Sequence, residues 1–346
     1  MAENPFISVI VPVYNGAKFL PQSLGALAAS DYSRFEIIVV DDGSTDQSAE
    51  ISRAHNALVR TSLRARSGPA AARNLGVQSA LGDVLLFVDA DVVVEKNTVS
   101  KIADYFRAQP QISALFGSYD DAPAATNFLS QYRNLLHHFV HQNSKTEAAT
   151  FWAGLGAIRR RAFDKVGGFD AAQFPIPSIE DIELGARLCQ RGHRILLAKD
   201  VQAKHLKKWR ADSILLTDIF CRAVPWSKLI LTNQGLINDL NLKTSDRLSA
   251  VLTGLSIALL PLVIWQPVLA NLILLVWLAI LLLNRRIFHF FWRKKGVKFA
   301  AMTFPWQLLY FFYSGAAFVG CWVWFARSTT FGLRKAKKNH AARIVN

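Results

Sequence analysis

Three short apolar runs, at residues 6–13, 35–40 and 83–88, each stop at a polar cluster and give way to a stretch that suits a helix. The clusters are Tyr14-Asn15, Asp41-Asp42 and Asp89-Ala90-Asp91. The first helix is expected over 17–29, the second from Ser44 or Thr45, both good N-caps, and others over 70–81 and 96–108. A weaker strand is expected at 57–61. Strands alternating with helices predict an α/β domain, a mainly parallel sheet with helices on both faces. In such sheets ligands gather at the carboxyl ends of the strands, where all three clusters lie.

Asp89 and Asp91 stand at i and i+2, so an extended chain aims both carboxylates to one side. A hard divalent cation that keeps some waters and takes substrate phosphates needs only one or two protein carboxylates. Alone, the pair reads equally as a polar turn after a buried strand. Its company at the other strand ends favours a metal–diphosphate site.

Further along, a helix is expected over 127–142 and a strand near 150–158. Gly167-Gly168-Phe169-Asp170 reads as a turn. Two prolines keep Phe174-Pro175-Ile176-Pro177-Ser178 out of regular structure. A helix is then expected from Glu180 to about 190, with a last strand at 194–198. His137 and His141, at i and i+4, have no acid or cysteine nearby in sequence. They suit a surface or acceptor-lining helix better than a metal pair.

Charge divides the chain. Residues 1–246 hold 27 Lys and Arg against 25 Asp and Glu, whereas residues 247–346 hold 13 Lys and Arg and no acid. That last part is also the most hydrophobic, which points to a membrane and away from nucleic acid. Apolar runs at 248–265 and 268–283 read as a hairpin of spans. The run at 299–326 reads as a third span or as a segment re-entrant at Pro305. Six basic residues at 285–298 place that loop in the cytosol by the positive-inside bias, and they also suit anionic lipid head groups. Residues 212–232 have the pattern of an amphipathic helix pair on a membrane surface. The expected organisation is a catalytic domain at 1–210, interfacial helices at 211–245, a membrane region at 246–326 and a basic tail at 327–346. The N-terminus lacks a basic, then apolar, leader, so the first domain is expected in the cytosol. Cys189, Cys221 and Cys321 are too scattered for a metal or disulfide framework and are expected as free thiols.

Six motifs in order carry a resemblance. They are Val11-Pro12-Val13-Tyr14-Asn15, Asp41-Asp42-Gly43-Ser44-Thr45-Asp46, Ala72-Arg73-Asn74-Leu75-Gly76, Asp89-Ala90-Asp91, Gly167-Gly168-Phe169-Asp170 and Glu180-Asp181. Together they resemble the family 2 glycosyltransferases, inverting enzymes of the GT-A fold that use nucleotide-sugar donors. The resemblance covers about residues 6–210 and implies a Rossmann-like catalytic domain. It implies that Asp91 ligates Mg²⁺ or Mn²⁺ and that Asp89 contacts the metal or the donor ribose. It implies that Asp42 binds the nucleotide base or ribose, with Pro12, Tyr14 and Asn15 as the floor beneath it.

Arg73, near a helix start, suits a donor phosphate. The family pattern selects Asp181 as the general base, ahead of Glu180 and Glu183. Glu180 is then an acceptor contact. His205 is a candidate third metal ligand or diphosphate contact, and Trp209 either covers the acceptor or anchors at the membrane interface. Processive synthases of this family carry Gln-x-x-Arg-Trp, where this chain has His205-x-x-Lys208-Trp209, and no span precedes the catalytic domain. Transfer of a single sugar from a UDP- or GDP-sugar to a lipid or lipid-linked acceptor is therefore expected. A processive polysaccharide synthase and a non-catalytic membrane scaffold are the alternatives.

Overall fold

The computed structural model describes residues 4–62, 64–232 and 243–344, with side chains as far as residue 327. The chain divides into two compact units, Met1–Ala211 and Asp212–Asn346.

The first unit opens with the expected alternation: β1 (Ile7–Val13), α1 (Leu20–Ala28), β2 (Phe35–Asp41), α2 (Ser48–Ala54), β3 (Leu58–Thr61), α3 (Pro69–Ser79) and β4 (Val84–Val88). These four strands pair in parallel, in the order β3-β2-β1-β4. All five residues of β4 are buried, which is what a continuous apolar run predicts for a strand covered on both faces. Ser8 is the buried polar exception in β1. Its hydroxyl donates to Glu36 Oε1 at 2.6 Å and accepts the Gly82 N–H at 2.7 Å, pinning β2 and the approach to β4 to one point.

The rest of the unit contains β5 (Val92–Val94), α4 (Thr98–Ala108), β6 (Ile112–Tyr119), α5 (Phe128–Gln142), β7 (Glu147–Ala148), β8 (Leu155–Arg159), α6 (Arg160–Val166), α7 (Glu180–Gln190) and β9 (Arg194–His205). The sheet continues β4-β8-β6-β9-β5, with β7 paired to β9. Here β8 runs antiparallel to β4 and β6, and β9 antiparallel to β5 and β7, so the sheet is mixed where a mainly parallel one was expected. The strand expected at 194–198 continues to His205, because its alternating apolar residues, Val201 and Ala203, stay buried. The strand expected near 150–158 begins only at Leu155. The four residues before it, 151–154, run along the sheet's carboxyl-end rim.

The second unit begins with a continuous helical run: α8 (Ala211–Leu216), a π-helical stretch (Thr217–Ala223) and α9 (Val224–Thr232). A helix pair was expected over 212–232, where one continuous run stands; residues 233–242 of the interfacial region expected at 211–245 lie outside the described residues. Then come α10 (Thr244–Leu259), a 3₁₀ extension to Ile264, α11 (Leu269–Leu283), α12 (Arg285–Lys295) and α13 (Val297–Ile344). Thr244–Ile264 and Val297–Arg327 are long and apolar enough to cross a membrane, and α11 with α12 makes a third if the 75° bend between them lies within one broken span. Pro305 sits inside α13 without breaking it, so the re-entrant alternative at Pro305 gives way to one continuous helix. Polar groups inside this unit pair with each other. The Tyr313 hydroxyl donates to buried Asp218 at 2.7 Å, and Asn284 Nδ2 donates to the Ser249 hydroxyl at 2.8 Å.

Candidate active site

The ends of β1 and β2 are locked together by side chains. Asn15 takes the left-handed conformation, φ 51°, which asparagine tolerates better than most residues. Its N–H donates to the Ser44 hydroxyl at 2.9 Å, and its Oδ1 accepts the Thr45 N–H at 2.8 Å. Asp46 accepts from the N–H of Ala17 and of Ser48 at 3.0 and 3.1 Å. The 44–46 stretch is therefore spent on a loop, and α2 starts at Ser48 rather than at Ser44 or Thr45.

Asp41 accepts the Ser44 N–H at 2.9 Å. The two oxygens of Asp42 accept the N–H groups of Ser67 and Gly68 at 2.9 and 2.8 Å. A carboxylate has about four acceptor positions, so Asp42 holds this loop with lone pairs to spare. Gly68 itself needs its missing side chain: φ is +88°, and a Cβ there would meet the Pro175 carbonyl at 2.5 Å. Tyr14 is exposed, with the Arg66 guanidinium 4.9 Å from its ring centre. Arg66 was not anticipated from sequence, since nothing in its spacing ties it to Tyr14. Pro12 is half-buried below.

Arg73, expected as a donor contact, sits between two acids. It is buried, and its two terminal nitrogens donate to Asp89 Oδ1 and Glu180 Oε1, each at 2.8 Å. One guanidinium thus spans the end of β4 and the start of α7. Glu180, expected as an acceptor contact, is thereby paired. It is buried, and its second oxygen accepts the Ser178 N–H at 2.9 Å. Glu183 is held by Arg187, which also donates to the carbonyls of Val166 and Gly168. Asn74, next to Arg73, exchanges two hydrogen bonds with the Phe169 backbone at 2.8 and 3.0 Å. That exchange joins two motifs 95 residues apart.

Asp181 is the member of this group left without an ion pair among the described residues. Its oxygens accept the N–H groups of Ala153 and Ile182 at 3.0 and 2.8 Å. Burial and the neighbouring Glu180 charge push its carboxyl up to about 7, against the pull of Arg73 and the two N–H groups. A carboxylate poised near neutrality suits proton transfer.

Asp89 and Asp91 both reach solvent, with side chains 34% and 20% exposed. Burial pushes the Asp89 carboxyl above its ordinary value; Arg73 opposes this and Asp91 adds to it. Burial works the same way on Asp91, but its contact with His205 and the charge of Lys207 hold its carboxyl below the ordinary value. His205 Nε2 lies 3.3 Å from Asp91 Oδ2, and the His205 ring stacks on Tyr119 at 4.4 Å. Among the described residues no three His, Cys, Asp or Glu side chains form a ready metal cage. Two open carboxylates with an imidazole beside them nonetheless fit a hard cation that takes its other ligands from water and phosphate.

Trp209 was expected as an acceptor cover or a membrane anchor. It is buried, its N–H donates to the Ser130 hydroxyl at 2.7 Å, and its carbonyl accepts from Asn127 at 2.8 Å. His138 and His141 lie inside the fold and not on its surface.

Residues 8–167 match the profile of glycosyl transferase family 2. This domain resembles an uncharacterized glycosyltransferase of Haemophilus influenzae, 35% identical over 122 residues. That match takes in 33% of this chain and 47% of that protein, so the chain spans about half the length of the curated relative. Among solved structures, the mannosyltransferase PcManGT from Pyrobaculum calidifontis, in complex with GDP-Man and Mn²⁺, has a TM-score of 0.55 at 18% identity, covering 92% of this chain and 88% of that one. Residues 1–349 of TarS from S. aureus, in complex with UDP-GlcNAc, give a TM-score of 0.50 at 23% identity, covering 65% of each chain. These two likenesses concern the fold, and they place the glycosyltransferase domain in the GT-A class that its motifs suggested.

Proposed function

We propose that the chain is a membrane-anchored inverting glycosyltransferase. It takes one sugar from a UDP- or GDP-sugar and delivers it to an acceptor, probed most directly as a lipid-linked one, at the cytoplasmic membrane face. The carrying observation is the sorting of acids at the start of α7. Arginines neutralise Glu180 and Glu183, while Asp181 has, among the described residues, two backbone N–H partners, no ion pair and a raised pKa.

In this reading Asp181 takes the proton of an acceptor hydroxyl as that oxygen bonds to the sugar C1. The C1–oxygen bond to the diphosphate breaks, and the nucleoside diphosphate leaves with the electron pair. Asp89 and Asp91, with His205 beside them, would hold Mg²⁺ or Mn²⁺; such an ion offsets charge on a leaving diphosphate. Tyr14 and Asp42 face the nucleotide. Arg73 keeps Asp89 and the base-bearing helix in register.

Membrane anchoring is supported by the two helices long and apolar enough to span. Single transfer is supported by the departures at His205 and Lys208 from the processive motif. The donor and metal parts are tested together with full-length protein in detergent, by nucleotide-sugar turnover with Mn²⁺ or Mg²⁺ and with excess chelator. Turnover that requires the added ion is expected; turnover indifferent to chelator removes the metal from the account.

A further inference from the structure

Next to Asp181 lies a cluster of rings that the donor side of the reaction does not use. Trp152 directly precedes Ala153, whose N–H holds Asp181. Tyr119, at the end of β6, lies 4.8 Å from Trp152, 4.4 Å from His137 and 4.4 Å from His205, between ring centres. His137 in turn lies 3.9 Å from His141 and 4.6 Å from Trp152. The half-buried Tyr119 hydroxyl makes no hydrogen bond among the described residues. The Asp91, Asp89 and Asp181 carboxylates and the Arg133 cation all lie near enough to act on this phenol.

We propose that Tyr119, His137, His141 and Trp152 form the acceptor subsite, and that it takes the sugar ring of a saccharide-headed acceptor rather than a phosphate monoester. This rests on the glycosyl-transfer reading above and names the substrate class for it.

Two observations favour a sugar. Binding sites that are mostly ring-walled with a few polar groups suit a neutral ligand having both apolar and polar edges. Burial favours the neutral form of both histidines: it lowers His141 to about 4, and it holds His137 well below its ordinary value, with the Arg133 cation adding. A neutral imidazole hydrogen-bonds a hydroxyl but adds no charge to meet a phosphate dianion.

The chemistry agrees. A sugar hydroxyl must lose a proton as its oxygen bonds to the donor C1, and Asp181 is there to receive it. A phosphate oxygen is already ionised and needs no base.

The test uses full-length protein in detergent with radiolabelled UDP-Glc, UDP-GlcNAc and GDP-Man. It offers a panel of alkyl glycosides in one arm and undecaprenyl phosphate in the other. Label is expected in the glycosides, in a linkage that survives mild acid. Tyr119→Phe, which keeps the ring and its stacking, should raise the acceptor KM about tenfold, the loss of one hydrogen bond, with the donor KM unchanged. Label transferred to undecaprenyl phosphate and released by mild acid overturns the proposal and leaves glycosyl transfer standing. Donor binding with no glycoside product, or an unaltered acceptor KM in Tyr119→Phe, also overturns it. Failure to bind any donor falls on the glycosyl-transfer reading itself.

Discussion

At the scale of the residue, the site assigns different work to acids that look alike in sequence. Glu180, Asp181 and Glu183 share the first turn of one helix. A helix start favours any carboxylate there, so position alone does not separate them. Their partners do, and those partners come from segments far away: Arg73 by 107 residues for Glu180, and the Ala153 N–H by 28 residues for Asp181. The pH dependence follows from this. Asp181 acts as a base only when ionised, and its carboxyl is raised to about 7. Activity should therefore fall as pH drops through about 7 and level off above it, in a pH–rate profile of kcat at saturating donor. A profile flat from pH 5 to 8 would take Asp181 out of the proton transfer. The family motif pointed to Asp181, while the ion pairs of Arg73 with Asp89 and Glu180 were not foreseen. A forked cation near a helix start suits phosphate and buried carboxylates equally well, and only the fold tells which it meets.

At the scale of the element, Arg73 is a tie between α3, the end of β4 and the start of α7. Removing one partner of a buried ion pair leaves the others uncompensated and costs about 3–5 kcal/mol. Arg73→Met should accordingly lower unfolding stability by about 3 kcal/mol, somewhat less if water reaches the partly exposed Asp89. Thermal unfolding with and without nucleotide would show it; an unchanged melting temperature would mean that the tie carries no weight. β1, β2 and β4 were legible because each is an apolar run ended by a turn, whereas Arg60 and Thr61 left β3 only a weak signal. β6 passed unnoticed although it is central, since Ser113, Gly117 and Ser118 dilute its apolar signal. The reversal of β8 relative to β4 was invisible for a different reason: strand direction depends on long-range pairing that no local pattern encodes. Without β6 the ring cluster around Tyr119 had no anchor, and it was missed with it.

At the scale of the whole molecule, the chain joins a GT-A domain to a unit with two membrane-length helices. The charge division at residue 246 foretold that unit. It did not foretell the 75° bend between α11 and α12 or the continuity of α13 through Pro305, which depend on local packing rather than composition. Full-length protein should remain in the membrane pellet after alkaline carbonate extraction, and release into the supernatant would mean peripheral attachment only. The central claim, that one carboxylate runs the proton chemistry while others hold the donor, is tested most directly by measuring sugar transfer and donor affinity in one preparation of Asp181→Asn. Loss of a general base costs about 10²–10⁴-fold in rate, so transfer should fall by about that factor with donor Kd nearly unchanged. An Asp181→Asn protein that transfers sugar at the wild-type rate would contradict the account.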